Sequence, residues 1–236
     1  MRNWFTYDGK SSKDFGVYIS GLNTFGGAER DQSKVSVAGR NGDLTVDNGR
    51  FKNTTVTYPA FIYDNFSANV AAFRNFLLSK TSYKRLEDTY HPDEFRLAKF
   101  SGSFSADVVD TLVSGEFNLT FDCYPQRFLK RGEKQHSFTA AGAIKNEYDM
   151  TALPLVRVYG DGTVTINGIT ITISGSDTYT DIDCELQEAY KDTLATSKNN
   201  TITLTSGEFF KLEPGVNSVS FTGSTEVIIT PRWWIL

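Results

Sequence analysis

Residues 154–190 read PLVRVYGDGTVTINGITITISGSDTYTDIDCELQEAY, and this stretch decides the fold. Val164-Thr165-Ile166 and Ile169-Thr170-Ile171 flank Asn167-Gly168, a pair that accepts the positive φ angles of a type I′ turn. A two-residue loop sets Ile166 opposite Ile169 and Val164 opposite Ile171, so all four share one face. Thr165 and Thr170 fall on the other. Further on, Ile182, Cys184 and Leu186 alternate with Asp181, Asp183, Glu185 and Gln187. That is the two-residue period of a half-buried strand, and it predicts a solvated acidic face. Together these features predict a sandwich of short antiparallel strands.

The totals fit this reading. A chain of 236 residues suits one large β domain or two modest ones. Hydrophobic residues at 39%, with 18 Phe and 11 Tyr, are enough to fill real cores. The net charge of −4 argues against a nucleic-acid binder, which needs a basic face. Residues 1–130 hold sixteen Lys and Arg against fifteen Asp and Glu, and residues 131–236 hold eight against thirteen. The acidic second half is a poor match for an anionic polymer. Two cysteines, Cys123 and Cys184, build neither a disulfide framework nor a zinc site, and are read as small apolar fillers in strands. MRNWFTYDGK lacks the apolar core of a secretory signal, and no run approaches the roughly 20 apolar residues of a membrane helix. The expectation is a protein made in the cytoplasm, with any extracellular role following assembly or lysis.

In chain order, Trp4–Tyr7 is a short strand closed by Asp8-Gly9, and a second strand follows Asp14 and Gly16, which are read as turn chemistry. A strand is expected around Lys34–Val37, and another resumes at Leu44 and Val46 after Gly39 and Asn41-Gly42. Asp47–Arg50 is read as a turn, and the strand within Phe51–Ile62 as ended by Pro59. One helix stands out. Phe66, Val70, Phe73 and Leu77 recur at helical spacing with Phe76 beside them, Ser67 is the expected N-cap, and Arg74 and Asn75 lie on the wet face. Gly115–Tyr124 reads as a closing strand with Phe117, Leu119, Phe121 and Cys123 on one face. The composition shifts over residues 131–152, predicting a linker with one short strand near Phe138, between domains at 1–130 and 153–236. Val216–Thr222 and Glu226–Thr230 close the second domain. Trp233 and Trp234, adjacent in a strand, should face opposite ways, one into the core and one onto another domain or a partner.

Several of these segments carry a resemblance. YTDIDCELQEAY, FFKLEPGVNSVSF and TPRWWIL resemble the C-terminal domain of the distal tail proteins of long-tailed siphophages that infect Gram-positive hosts. YDGKSSKDFGVYISG resembles the family's opening. SYKRLED with HPDEFRLA resembles the signature that follows its helix, and PQRFL the end of its first domain. The resemblance implies a mostly β chain, whose N-terminal ring-forming domain with one α-helix precedes a C-terminal galectin-like β-sandwich. It implies a structural protein of the virion, placed at the distal tip of the tail. There a hexameric ring joins the tail tube protein to the baseplate. It serves as hub for a tail-associated lysin or tail-fibre protein and for the receptor-binding baseplate protein. On residues alone AGRNGDL is an ordinary surface hairpin. By resemblance it belongs to an arm reaching the neighbouring subunit, with Arg40, Asn41, Gly42, Asp43, Leu44 and Val46 as the expected interface.

Catalytic chemistry is not visible. The chain has no nucleophile elbow, phosphate loop, H-E-x-x-H or paired cysteines at metal spacing, so no enzyme, cofactor or metal is expected. His91, beside Pro92-Asp93-Glu94, reads as solvent-exposed scaffold, and His136 falls in the linker. Asp181, Asp183 and Glu185 at alternate positions suggest a calcium loop, but its sixth position would be Leu186 where a glycine is needed. A carbohydrate-binding module for host cell-wall polysaccharide is the alternative function. The His, Asn and Arg cluster of a galectin site cannot be assembled here, because no His follows residue 150 and the only Arg residues there are Arg157 and Arg232. A tail-associated hydrolase is the third possibility, although nothing among the 28 Asp and Glu singles out a carboxylate pair.

Overall fold

The Asn167-Gly168 hairpin forms as read. In the computed structural model, which describes residues 2–21, 26–63, 65–110 and 114–236, Asn167 has φ 51° and Gly168 φ 83°, and Ile166 pairs with Ile169 and Val164 with Ile171. Thr165 and Thr170 share a hydroxyl hydrogen bond of 2.9 Å on the opposite face. The fold divides into two compact units, Met1–Arg127 and Phe128–Ile235.

The first unit runs β1 (Phe5–Tyr7), β2 (Lys10–Ser11), β3 (Val17–Ile19), β4 (Arg30–Val35), β5 (Leu44–Phe51), β6 (Thr54–Ile62), α1 (Phe66–Leu78), β7 (Lys84–Asp88), β8 (Glu94–Phe100), β9 (Ala106–Asp110) and β10 (Ser114–Cys123). Its main sheet has the order β2-β1-β7-β8-β10-β6-β3, with β9 also on β10. Phe117, Leu119, Phe121 and Cys123 of β10 are buried, as the alternation requires. They meet Phe5, Tyr7 and Tyr58 across the sheet and Phe73 from α1, whose ring lies 6.2 Å from those of Phe5 and Phe117. Gly115 is forced by this approach, since a Cβ there would lie 2.2 Å from the Phe66 ring. The helix buries Phe66, Phe73, Phe76 and Leu77 and leaves Arg74 and Asn75 exposed. Its start differs from expectation: Asn65, at φ 49°, is the N-cap and makes no side-chain capping bond, so Ser67 is already inside the helix.

Pro59 does not end its strand. β6 continues to Ile62, and Pro59 sits opposite Asn118 of β10. Its carbonyl accepts from Ser20 N at 2.8 Å, on the β3 side. The nitrogen of a strand residue points to the same side as its carbonyl, so the missing N–H leaves the β10 ladder intact. Asp47–Arg50 is likewise strand rather than turn, with a register shift opposite Arg30 and Gln32 absorbing Gly49.

The second unit runs β11 (Arg127–Leu129), β12 (His136–Phe138), β13 (Gly142–Asn146), β14 (Leu155–Tyr159), β15 (Gly162–Ile166), β16 (Ile169–Ile173), β17 (Tyr179–Asp183), β18 (Glu188–Lys191), β19 (Thr193–Ser197), β20 (Ile202–Leu204), β21 (Gly215–Thr222), β22 (Glu226–Thr230) and β23 (Trp234–Ile235). A six-stranded sheet, β12-β22-β14-β17-β18-β19, accompanies a five-stranded one, β13-β21-β15-β16-β20. Val156, Val158, Ile182, Val227 and Ile229 of the first sheet share one buried core with Val164, Ile166, Ile171, Ile173 and Val219 of the second. The expected linker at 131–152 is therefore corrected. β12 pairs with β22 and β13 with β21, so most of that stretch is sandwich. Its polar composition reflects edge strands, which carry water on more sides than inner ones. Among the described residues no helix is long and apolar enough to cross a membrane.

Candidate assembly surface

β4 and β5 form a two-stranded sheet of their own. Val35 pairs with Leu44 and Ser33 with Val46, which places these side chains on one face. Lys34–Thr45 and Gln32–Asp47 occupy the other. The ribbon is amphipathic, yet its apolar face is open: Val35 is 48% exposed, Val37 40%, Leu44 40% and Val46 51%. Ionic contacts brace its base, with Arg50 Nε 2.7 Å from Asp31, Arg30 Nη1 3.2 Å from Asp47, and the Arg30 guanidinium over the Phe51 ring. The hydrogen bond from Arg50 holds the Asp31 carboxyl below its ordinary pKa. Arg40, Asn41, Gly42 and Asp43 form the exposed tip, closed by an Arg40 N to Val37 O bond of 3.1 Å. A lone two-stranded hairpin is marginally stable in water, and an uncovered apolar face is the kind of surface found at contact sites. Arg40, Asn41, Gly42, Asp43, Leu44 and Val46 thus lie together on this ribbon and its tip. The sequence reading missed Val35, although Ser33-Lys34-Val35 shows the same alternation as Leu44-Thr45-Val46.

A second exposed group escaped the sequence reading. On the outer face of β3 and β6, Tyr18 stacks on Phe61 at 6.0 Å and Phe61 meets Tyr63 at 4.7 Å. The Arg2 guanidinium lies 4.5 Å from the Tyr63 ring. Tyr63 is largely exposed. Aromatic residues with Arg are the composition of protein contact centres. Phe61 and Tyr63, alternating with buried Ala60 and Ile62, were its signal.

Of the two tryptophans, Trp233 takes the expected place in the core, and Trp234 differs from expectation. Trp233 lies in the core of the second unit, its ring 6.4 Å from Tyr148, and its carbonyl accepts from Leu129 N. Trp234 is partly buried and packs on the same core, with its indole N–H donated to Thr151 O at 3.0 Å. The first is therefore not a partner contact, and the second has its polar atom satisfied within its own unit.

The acidic stretch is also corrected. β17 ends at Asp183, and Cys184–Gln187 is a turn that exposes Leu186. Asp181 and Asp183 are each 2% exposed. Arg157 Nε and Nη2 reach Asp181 at 2.7 and 2.8 Å, and Arg232 Nη1 and Nη2 reach Asp183 at 2.7 Å each. A fork-on-carboxylate pair keeps a buried charge solvated by its partner, and the sequence could not show it because Arg232 is 49 positions away. The hydrogen bonds that Arg157 donates to Asp181 raise the Arg157 pKa. Burial opposes ionisation of Asp183. Arg232 and the N–H groups of Leu186 and Glu185 outweigh it, leaving that carboxyl below its ordinary pKa. Both arginines beyond residue 150 are thus committed to carboxylates and make no galectin-type site. Among the described residues no group of three or more His, Cys, Asp and Glu could hold a metal ion.

His91 is not solvent-exposed scaffold. Its side chain is 14% exposed, and its Nδ1 lies 3.1 Å from Asp88 Oδ1. His136 lies in β12, where burial and then the Lys134 charge lower its pKa. Cys123 and Cys184 are buried free thiols, both pushed up to about 12, chiefly by burial.

No protein-family model matches the chain, and no curated protein is similar to it in sequence. Solved structures are similar in fold. The SPP1 Dit (gp 19.1) protein, described as a paradigm of hub adsorption apparatus in phages infecting Gram-positive hosts, superposes with a TM-score of 0.72 at 14% identity. The match covers 96% of this chain and 97% of that one. A chain of the phage P2 baseplate in its activated conformation with Ca gives 0.59 at 8% identity, covering 97% of both. The same baseplate with Sr gives 0.58 at 8% identity, covering 97% and 96%. From its first strand to its last, this chain has the fold shared by these phage tail hub and baseplate proteins.

Proposed function

We propose that this protein is a structural subunit of a siphophage tail tip. Six copies close a ring between the tail tube protein and the baseplate, and the ring is the hub on which a tail-associated lysin or tail fibre and the receptor-binding baseplate protein assemble. The observation that carries this reading is the likeness in fold to the SPP1 Dit protein over nearly the whole chain, 96% of this chain and 97% of that one. The open apolar face of the β4–β5 ribbon adds a physical reason for self-assembly: it needs a cover, and a heterologous contact with the next copy supplies one that closes by rotation. In this account the first unit makes the ring and the second meets adsorption proteins, and the protein acts without catalysis at the distal tip of the virion tail. The test is dissection. Residues 1–130 should retain ring formation, residues 128–236, which keep all the strands of the sandwich, should be monomeric, and deletion of residues 40–47 from the full chain should weaken the ring while both cores stay folded. A folded but monomeric 1–130 at high concentration contradicts the proposal.

A further inference from the structure

Among the described residues, the large apolar side chains left mostly open on the first unit are Val35, Val37, Leu44 and Val46 on the ribbon, Tyr63, and Leu78 at the end of α1. Tyr63, 53% exposed, belongs to the aromatic patch with Tyr18, Phe61 and Arg2. The ribbon and the patch lie at opposite ends of one strand. A bond of 2.8 Å from Lys52 N to Glu29 O closes the base of the ribbon next to Thr54, where β6 begins, and Phe61 is the eighth residue of that strand. Seven steps at about 3.3 Å per residue put Phe61 about 23 Å from Thr54. Within one chain neither surface covers the other, since both stay open.

The two surfaces are also complementary in charge. At the ribbon tip, exposed Asp43 directly precedes Leu44, and exposed Arg40 lies three residues earlier. At the patch, the exposed Arg2 places its guanidinium 4.5 Å from the Tyr63 ring and 5.2 Å from that of Tyr18. Exposed Glu116 of β10 pairs with Phe61 in the ladder, which puts both on the outer face. We propose that the Tyr18–Phe61–Tyr63 patch is the seat for the ribbon of a second copy. Leu44 and Val46 lie on the rings, Asp43 meets Arg2, and Arg40 meets Glu116. Because the two surfaces are unlike and separate, the contact is heterologous: each copy gives its ribbon to one neighbour and takes a ribbon from the other. Tyrosine and arginine at the seat are the residues that carry contact centres. The proposal rests on the ring reading and names the acceptor of the arm. Ribbon packed on ribbon would also cover the apolar face, but it would give isologous dimers.

The test is disulfide trapping in the full chain, whose own thiols, Cys123 and Cys184, are buried. L44C and Y63C each change an exposed side chain. The two variants are mixed while dilute, then concentrated and oxidised. The mixture should give a cross-linked pair that neither variant gives alone, and the double variant L44C/Y63C should give a covalent ladder of up to six copies. Sedimentation should show R2E raising the half-assembly concentration at least threefold, with R2E plus D43R returning it to within about twofold of wild type. A cross-link in L44C alone places ribbon against ribbon and overturns the proposal. Assembly that R2E leaves unchanged overturns it as well. So does a mixture without the cross-link while wild type assembles, a result that leaves the ring reading standing. A wild type that stays monomeric overturns both.

Discussion

Replacing Leu44 and Val46 together by Ser should take the ring apart without unfolding the subunit. Fully burying a Val or Leu side chain contributes about 1.5–3 kcal/mol, and these two are 40% and 51% exposed in the free chain. Covering the exposed half is therefore worth about 1 kcal/mol each, and the double substitution removes about 2 kcal/mol per contact. That is roughly a 30-fold loss in each contact constant. A six-membered ring closes six contacts against five association events, so the losses compound to roughly a 60-fold rise in the concentration at half-assembly. Sedimentation velocity across a concentration series measures this shift, and circular dichroism checks the fold. The control is Gln32→Ser with Thr45→Ser on the polar face of the same ribbon, which should leave half-assembly within a few-fold of wild type. A double mutant that assembles at the wild-type concentration, or a polar-face variant that is the weaker of the two, would refute the assignment of the contact to the apolar face.

Other outcomes follow from the second unit. Trp233→Ala opens a cavity in a filled core and should cost about 3–5 kcal/mol, whereas Trp234→Ala should cost markedly less; thermal melts of the full chain measure both. Asp183 has a folded pKa below its ordinary value, so its contribution is present above the unfolded pKa, about 3.9, and is lost as pH falls below it. Denaturant melts from pH 7 to pH 2 should show that acid limb, and Asp183→Asn should flatten it while destabilising the unit by about 3 kcal/mol at pH 7, because Arg232 loses its two-point carboxylate and keeps only Glu185, at 3.7 Å. A steeper acid limb in D183N would contradict this. Cys123 and Cys184 should resist thiol reagents in the native protein and react only after denaturation, and labelling of either in the folded chain at pH 8 would show that its burial is wrongly placed.

What was legible in the sequence followed local rules. The Asn167-Gly168 turn, the Phe stripe of α1 and the alternation of β10 are set by backbone geometry and side-chain period within a few residues. What was hidden depended on partners far along the chain. Asp181 and Asp183 alternate with Ile182 and Cys184 like a wet face, and they are buried because Arg157 and Arg232 meet them across the sheet. Pro59 looked like a stop because only the pairing with β3 and β10 shows which side its nitrogen faces. Residues 131–152 looked like a linker because β12 and β13 are edge strands. The arm tip was legible, and its apolar face was half so: Leu44 and Val46 were singled out, while Val35 needed the register with Leu44 to show it on the same side.

The most direct measurement of the central claim is the mass of the purified full chain by light scattering, with negative-stain images of the same sample. Assembly into a hub ring predicts about 158 kDa, six copies of 26.3 kDa, and annular particles with six-fold symmetry around an open centre. A folded 26.3 kDa monomer that persists to high concentration, with no rings in the images, would contradict the account.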